Sequence, residues 1–439
     1  MLTQDQLLER LDTVELAPAQ GRVISIASHM VEADGPAGTI GQLCEILGEG
    51  PPTLSEIIAV EPGRLLLSPF GPVEGISVGS RVVATGKGAT APAGGDFAGR
   101  AIDALGRPID QLGPLLGARP WPIHGDLPPP LDREAPTQPL LTGIRSIDAL
   151  LSLGRGQRIG IFAASGVGKT SLIEQIAFQT EADQVICCLV GERGREVESL
   201  WRSIQKREDK QRFTIVAATS DESAPSRARA PLQALALAEY WRAQGRHVLI
   251  IIDSVTRLAM AQREIGLAAG APPTLRAYTP NVFAALPRLV ERCGAVRGGG
   301  AISAVMTVLS ETDEVDDPIV EVMKSLLDGH IILSRSLAEQ SLFPAIDVVK
   351  SVSRGLERRT PTSHRKLIAE AIRLMSAWNE ARVLIESGAY KNGSDPLIDR
   401  AIARREPLRQ FLAQPQDEYC PTEQGVKQLA DALGEARHG

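Results

Sequence analysis

The pattern of apolar and polar positions divides the N-terminal part of the chain into an arm and a small domain. Residues 2–11 place four leucines among polar residues at roughly helical spacing, which predicts an amphipathic arm over 1–18. From residue 21 to about 87 the pattern changes to short alternating runs separated by Gly and Pro. Short, evenly spaced strands of this kind are typical of a small β-barrel, which we place at 19–95.

The remainder of the chain has two further patterns. Between about residues 140 and 354, near-continuous apolar runs alternate with helical periods. Such runs predict a parallel sheet covered by helices on both faces, because the side chains on both sides of each strand are then buried. After about residue 355 the pattern is helical to the end. We therefore predict an α/β domain at 96–360 and a C-terminal helical domain at 361–439.

Composition and charge restrict the class of protein. The chain of 439 residues has 47 Lys and Arg against 53 Asp and Glu, a net charge of −6, and 43% hydrophobic residues. This balance is that of a soluble globular protein with a substantial core. No local basic stripe offsets the acidic balance, so nucleic acid is not predicted as a partner.

Cysteine spacing and hydropathy indicate the expected cellular location of the protein. The sequence has no C-x-x-C pair, and we expect reduced core thiols of a cytosolic protein at Cys44, Cys187, Cys188, Cys293 and Cys420. No apolar stretch approaches the ~18 residues needed to span a bilayer, and the N-terminus is acidic where a signal peptide is basic. The expected location is the cytoplasm. Neither His nor Cys has metal-ligand spacing, so no structural zinc is predicted.

A phosphate-binding loop follows the apolar run that ends at Phe162. The segment A-A-S-G-V-G-K-T at 163–170 leads into a helical pattern, which is the strand–turn–helix context that a P-loop requires. Backbone N–H groups of such a loop bind phosphate oxygens, the lysine reaches the β- and γ-phosphates, and the hydroxyl ligates Mg²⁺. We predict a bound nucleotide with Mg²⁺, held by Ser165, Gly166, Val167, Gly168, Lys169, Thr170 and Ser171. Ala163 stands where the strict pattern has Gly.

Two carboxylates follow other buried runs. Asp253 ends an apolar run at the edge where open α/β sheets place ligands, so it fits the role of holding Mg²⁺ with Thr170. The alternative is an N-cap for the helix that starts near Ser254. Glu192 follows the run 185–190 and could orient the attacking water. Composition and spacing alone do not separate that role from a solvated charge run at a helix start.

Longer segments outside the P-loop are also distinctive. They are G-E-R at 191–193, I-I-D-S-V-T-R at 251–257, F-P-A-I-D at 343–347 and S-V-S-R at 351–354. Together with G-V-G-K-T they resemble the rotary-ATPase family, and more closely the export ATPases of flagellar and virulence type III secretion systems. The resemblance covers nearly the whole chain, and the export branch also has Ala at the first P-loop position. It implies a RecA-like fold for the central domain.

The resemblance also implies roles for individual residues. It makes Glu192 the residue that activates water, Asp253 the carboxylate associated with Mg²⁺, and Arg354 an arginine finger that enters the neighbouring subunit's site. Phe343 matches an aromatic residue that lies against adenine.

Two further nucleotide-site candidates come from the same resemblance. Arg193 follows the water-activating Glu192. Tyr390 either closes the adenine pocket from the C-terminal domain or is a plain core tyrosine.

One chain contains both halves of such a site. Lys169, Glu192, Asp253 and Arg354 occur together, so a homo-hexamer with six equivalent sites completed in trans is the economical assembly. The resemblance implies ATP hydrolysis that releases chaperones and drives unfolding and export of substrate proteins at a membrane export gate, peripheral to the inner membrane. It also implies that the arm binds a stator-like regulator; the alternative is a helix folded onto the barrel.

Particular segments separate this chain from related and unrelated classes of protein. The segment G-A-Y-x-x-G-S-D-P at 388–396 resembles the flagellar branch and favours flagellar over virulence export. The C-terminal domain lacks the acidic D-E-L-S-E-E-D run expected of a rotary ATP synthase catalytic subunit. An RNA-translocating ring is disfavoured because Phe70 is the one aromatic residue between 21 and 87. A nucleotide-binding scaffold is disfavoured because Glu192 is present. The Gly/Pro loop at 270–273 is either a pore loop or a passive connection.

Overall fold

The structure is a computed structural model. It describes residues 19–27, 30–86, 89–125, 127–310 and 317–435. The predicted N-terminal arm therefore lies outside the described residues. Among the helices in these ranges, none combines the length and the apolar character needed to cross a membrane.

The N-terminal part forms a closed six-stranded barrel in the order β1-β2-β5-β4-β3-β6. Its strands are β1 Gln20–Ala27, β2 Met30–Ala33, β3 Leu43–Leu47, β4 Thr53–Glu61, β5 Arg64–Pro69 and β6 Arg81–Ala84. Because side chains alternate between the two faces of a strand, every second residue points into the barrel, and these inward positions are mostly apolar. Val31, Ile46 and Leu67 are fully buried at the barrel's centre. The predicted small barrel is confirmed.

The central part is a mixed sheet whose main strands are parallel. The order is β18-β17-β11-β16-β14-β12-β13-β8, with β10 and β15 attached beside β16 and with β7 and β9 paired separately. The strands are β7 Thr90–Ala93, β8 Ala101–Asp103, β9 Arg119–Pro122, β10 Arg133–Glu134, β11 Arg158–Ala163, β12 Gln184–Val190, β13 Phe213–Ala218, β14 His247–Asp253, β15 Gly294–Val296, β16 Ala301–Leu309, β17 Gly329–Ile332 and β18 Val352–Ser353.

Helices cover both faces of this sheet and form the C-terminal part. They are α1 Arg145–Asp148, α2 Lys169–Gln179, α3 Gly194–Gln205, α4 Ala224–Ala243, α5 Val255–Ala268, α6 Pro280–Glu291, α7 Pro318–Leu326, α8 Arg335–Glu339, α9 Thr362–Glu386, α10 Pro396–Leu412 and α11 Thr422–Leu433. Along β12, Cys187 joins the core on one face and Cys188 the core on the other. This two-sided burial is why the run is apolar throughout.

The C-terminal helices are fixed to the central part by specific polar contacts. The Arg145 N–H donates to Oε1 of Gln414 at 2.8 Å, and the Arg145 guanidinium donates to Oε1 of Glu418 at 3.0 Å. His364 on α9 lies 2.7 Å from the carbonyl oxygen of Ala149. The predicted layout of barrel, parallel sheet and C-terminal helices is confirmed, whereas the domain boundaries at 95/96 and 360/361 stay predictions.

All five cysteines are buried free thiols. Burial raises the pKa of Cys44 to about 11 and the pKa of Cys187 and Cys293 to about 12. Burial likewise raises the pKa of Cys188 and Cys420. These thiols are therefore protonated and act as apolar packing groups at neutral pH.

Candidate functional site

The P-loop runs from the end of β11 to the start of α2. Gly166 and Gly168 have φ values of 80° and 87°, in the left-handed region where a side chain is unfavourable. Gly168 is the N-cap of α2, with no side-chain cap. The first N–H groups of a helix have no partner within it, so they are available to phosphate oxygens. Thr170 and Ser171 are exposed at this helix start.

Lys169 lies between two buried carboxylates. Its Nζ is 2.5 Å from Oδ1 of Asp253 and 3.8 Å from Oε1 of Glu192. Asp253 is 5% exposed and Glu192 is 7% exposed. The Arg257 guanidinium lies 3.5 Å from the same Oε1 of Glu192. Two cations thus balance two carboxylates in a region shielded from solvent, where their interactions are stronger than at the surface.

The burial and the neighbouring charges of Glu192 shift the pKa of its carboxyl group. Burial raises the pKa of Glu192, and the nearby Asp253 carboxylate raises it further. The cations of Lys169 and Arg257 act in the opposite direction. A carboxylate whose pKa is raised accepts a proton more readily, which suits a group that acts on water.

Strand order explains why these residues meet. The carboxyl ends of parallel strands lie at one edge of a sheet, and β11, β16, β14 and β12 are consecutive neighbours. The P-loop follows β11, Asp253 ends β14, and Glu192 comes two residues after β12. The three sequence motifs therefore converge on a single site.

The alternatives for the two carboxylates, an N-cap and a solvated charge run, do not match their surroundings. The N-cap of α5 is Ser254, whose Oγ accepts from the Arg257 N–H at 3.3 Å, so Asp253 is free to face Lys169. Glu192 is buried, which excludes a solvated charge run at that position. Arg193 is exposed at the start of α3, and its predicted role at the nucleotide stays a prediction.

Thr307 is a member of the site that sequence reasoning missed. It is fully buried on β16, between the P-loop strand and β14. Its Oγ1 donates to Oδ1 of Asp253 at 2.6 Å. The sequence offered one signal for this residue, a polar side chain near the end of the apolar run 301–309. Its contact with Asp253 could not be predicted, because that contact depends on the order of the strands.

Phe343 lies against the P-loop. A Cβ placed on Gly168 would be 3.1 Å from a carbon of the Phe343 ring, so the ring packs over a position that only glycine fits. The ring is 45% exposed, which leaves part of it open to a ligand. The carbonyl oxygen of Phe343 accepts from the Gln414 N–H at 2.9 Å. Phe343 is thus brought together with the P-loop, whereas the contact with adenine that the resemblance implies stays a prediction.

A loop of the C-terminal part, residues 413–420, also borders the site and was not predicted. Nε2 of Gln416 donates to the carbonyl oxygen of Ser171 and to Oε2 of Glu174, each at 3.3 Å. In return, Nε2 of Gln179 donates to the carbonyl oxygen of Gln416 at 3.2 Å. The loop therefore lies along α2, beginning at the first turn of the helix. Nothing in the local sequence indicates this contact, because its partners are more than 200 residues apart.

Tyr390 is not brought to the other predicted residues. Its hydroxyl lies 2.9 Å from Oδ1 of Asp399 and 3.0 Å from the carbonyl oxygen of Asp395, and it accepts from the Asp395 N–H. Its backbone N–H donates to Leu384. In the described ranges these contacts all stay within 384–399, so the tyrosine fastens the turn between α9 and α10.

Arg354 lies at the opposite edge of the sheet. Its N–H donates to the carbonyl oxygen of Asp328, the residue before β17, at 2.9 Å. Since β17 is parallel to β11, this is the amino end of the P-loop strand. Six residues of strand separate the two ends by roughly 20 Å. The Arg354 side chain is exposed and makes no hydrogen bond or ion pair within the described part of the chain.

Comparisons with known proteins agree with this geometry. The model of the nucleotide-binding domain of the ATP synthase alpha/beta family matches residues 143–353, and that of the T3SS EscN ATPase C-terminal domain matches 360–431. A flagellum-specific ATP synthase of Bacillus subtilis is 42% identical, over 99% of each chain. A type 3 secretion system ATPase of Xanthomonas euvesicatoria is 40% identical, over 99% of this chain and 100% of the relative.

Solved structures give the same result. The assembled ATPase EscN from the enteropathogenic E. coli type III secretion system has a TM-score of 0.89 at 37% identity, covering 94% of this chain and 100% of that one. EscN in complex with its central stalk EscO has a TM-score of 0.86 at 36% identity, with the same coverage. Fold and site define a P-loop ATP hydrolase. The chain belongs to the family of type 3 secretion system ATPases and flagellum-specific ATP synthases.

Proposed function

We propose that this chain is the ATPase of a flagellar (type III) protein export apparatus and hydrolyses Mg-ATP in a homo-hexameric ring. The observation that carries the proposal is that the predicted catalytic residues lie at two opposite edges of the sheet. Lys169, Glu192 and Asp253 converge at one edge, whereas Arg354 lies roughly 20 Å away at the other. Arg354 cannot reach the P-loop of its own chain, which supports a site completed by the neighbouring subunit.

The residues at the P-loop have the chemistry to bind Mg-ATP. The helix start and Lys169 supply the donors that hold phosphates, and Phe343 offers an exposed ring for adenine. Thr170 and Asp253 provide a hydroxyl and a carboxylate, the hard oxygen ligands that Mg²⁺ prefers. When bound, Mg²⁺ neutralises charge on the phosphates. Ser165, Val167 and Ser171 complete the loop, and the roles of Arg193 and Tyr390 at the nucleotide stay predictions.

The proposed hydrolytic step relies on positioning and charge. Glu192 orients the attacking water and accepts its proton, which its raised pKa favours. Lys169 holds the phosphate oxygens in line with that water. Arg354 of the neighbouring subunit supplies positive charge as charge develops on the transferred group, an effect worth ~10³ to 10⁵ in rate for arginine fingers.

The proposed partners follow from the family. EscN is assembled, and it also occurs in a complex with its central stalk EscO. We infer that this chain likewise forms a ring, binds a stator-like regulator through residues 1–18, and acts on export substrates and chaperones at a membrane export gate. It would be cytoplasmic and peripheral to the inner membrane. The match of residues 360–431 to the type III secretion C-terminal domain supports the export branch over a rotary ATP synthase.

Virulence-type secretion is the second candidate. The similar identities to relatives of both kinds, 42% and 40%, give it nearly equal support. The segment 388–396 is the reason for preferring the flagellar branch. Both candidates share the same ATP site.

The test of the proposal is Mg-ATPase activity against protein concentration, with mass measured on the same samples. We expect activity per subunit to rise steeply as hexamers form and Glu192→Gln to be inactive at every concentration. Glu198→Gln is the matched control, because Glu198 is exposed on α3 and forms a surface ion pair with Arg202. An assembled wild-type protein without activity, or an active Glu192→Gln, would contradict the proposed mechanism.

A further inference from the structure

The backbone that carries Arg354 is held by a second arginine. Nη2 of Arg359 donates to Oγ of Ser353 at 2.7 Å and to the carbonyl oxygen of Arg354 at 3.1 Å. Nη1 of the same guanidinium donates to the carbonyl oxygen of Gly355 at 2.9 Å. One planar group thus contacts three consecutive residues, with Arg354 in the middle. The rigid fork of an arginine makes such a contact specific in direction as well as distance.

Arg359 is itself fastened to the body of the domain. Its Nε donates to the carbonyl oxygen of Ser152, in the turn after α1. The next residue, Thr360, is buried and donates from Oγ1 to Oγ of Ser152 at 3.0 Å. The guanidinium therefore connects residues 353–355 to a fixed point outside their own turn.

Gln157 holds the same segment from the P-loop strand. It is 1% exposed and immediately precedes β11. Its Nε2 lies 3.2 Å from Oγ of Ser353, 3.4 Å from the carbonyl oxygen of Arg354 and 3.2 Å from that of Asp328. Its Oε1 accepts from the Gly154 N–H at 2.7 Å, which fixes the orientation of the amide.

Asp328 completes the connection. Its carboxylate accepts from Nε and Nη2 of Arg158, the first residue of β11, at 2.9 and 3.0 Å. Its carbonyl oxygen accepts from the Arg354 N–H. The backbone of Arg354 is thus bonded on both sides, while its side chain has no such partner among the described residues. The backbone bonds therefore fix the position and direction from which the Arg354 side chain leaves the chain.

We propose that Arg359, together with Gln157, is a positioning residue for the Arg354 finger. The inference rests on the proposed action of Arg354 in the neighbouring subunit's site. In this role Arg359 acts through the backbone from which the finger extends, which it contacts at Ser353, Arg354 and Gly355. A displacement of about 1 Å in a catalytic group can lower a rate about 100-fold, so loss of this support reduces turnover without affecting the chain's own P-loop.

The first test measures turnover and nucleotide affinity separately. For Arg359→Gln we expect kcat to fall about 10- to 100-fold, with hexamer mass unchanged and KM for ATP within about threefold of wild type. Arg359→Lys retains the charge without the fork and should lose turnover as well, which covers the case in which the Gln variant fails to fold. The matched control is Arg358→Gln, since Arg358 is exposed in the same turn, and it should turn over like wild type.

The second test uses mixed rings and separates the two proposals. An Arg359→Gln subunit retains Lys169 and Glu192, so it becomes active when a Glu192→Gln neighbour supplies a well-placed finger. In a randomly mixed 1:1 ring about a quarter of the sites are complete, so the mixture should exceed the sum of its two components. Arg354→Ala mixed with Glu192→Gln is the reference.

Each outcome of the mixing experiment has one meaning. A gain in both mixtures supports the positioning role. A gain with Arg354→Ala but none with Arg359→Gln overturns it and leaves the trans-acting finger intact. If neither mixture gains activity in rings that mass measurement shows to be mixed, the trans-acting finger itself fails, and the positioning role fails with it.

Discussion

Replacing Thr307 by valine tests how the carboxylate of Asp253 is held. Thr307 is fully buried, and its Oγ1 donates to Oδ1 of Asp253, the same oxygen that lies 2.5 Å from Nζ of Lys169. Thr307→Val retains the branched shape but exchanges the hydroxyl for a methyl group. The carboxylate then remains buried with one donor fewer.

The size of the effect follows from the kind of bond that is lost. A hydrogen bond to a charged group contributes about 1.5–3 kcal/mol. We therefore expect the free energy of unfolding to fall by about that amount. Since 1.4 kcal/mol corresponds to a factor of ten, kcat/KM for Mg-ATP should fall roughly 10- to 100-fold if Asp253 must be oriented to hold Mg²⁺. Thr307→Ser retains the hydroxyl and should lose much less.

The assay compares the two variants in urea unfolding and in steady-state ATPase activity at several Mg²⁺ concentrations. A loss confined to the Val variant and partly relieved by high Mg²⁺ supports the proposed role of Asp253. If Thr307→Val equals wild type in both stability and turnover, the hydrogen bond does not orient the carboxylate, and the reasoning is refuted.

Two further predictions concern stability. Burial lowers the pKa of His247 to about 4. The imidazole therefore stays neutral in the folded state, whereas in the unfolded state it takes up a proton below about pH 6.5. The contribution of His247 to the free energy of unfolding is complete above pH 6.5, and it falls by about 3 kcal/mol as the pH drops to 4. His247→Asn should flatten this dependence in urea unfolding, and an unchanged slope would contradict it. Glu239→Gln should cost about 3–5 kcal/mol, because Arg292 is 2% exposed and loses the partner of a buried ion pair. Joint replacement of Arg292 and Glu239 by Met and Leu should restore most of that loss in the same assay; a single-variant loss below 1 kcal/mol would contradict the estimate.

Those parts of the site that follow from local chemistry could be predicted from the sequence. The P-loop requires glycine, lysine and a hydroxyl at fixed spacing next to a strand and a helix, and all of these are local. Asp253 and Glu192 follow buried runs, and parallel strands bring such ends to one edge. The fold class was accessible for the same reason, because alternating and continuous apolar runs distinguish a barrel from a two-sided sheet.

The remainder depends on contacts that the linear pattern does not encode. Thr307 meets Asp253 because β16 lies between β11 and β14, and strand order cannot be read from hydropathy. Gln157 meets Arg354 for a similar reason, since the two residues lie next to β11 and β18, which are distant in sequence. Arg359 is close to Arg354 in the chain, but its contact with Ser152 joins positions more than 200 residues apart.

Some predictions remain untested. The role of Tyr390 at the adenine pocket stays a prediction, and the structure shows its hydroxyl within hydrogen-bond distance of Asp395 and Asp399. The regulator-binding arm lies outside the described residues. The loop at 270–273 connects α5 towards α6, and its role at a pore stays a prediction.

The buried cysteines make the protein well suited to labelling. Each native thiol is shielded, and burial raises the pKa of each, so few thiolates are available to react with a maleimide at neutral pH. A cysteine introduced on the exposed face of α9, where Val383 is 75% exposed, would react far faster than the native five. Fluorescent reporters can therefore be attached to single subunits, and their movements followed during turnover, without first removing any native residue.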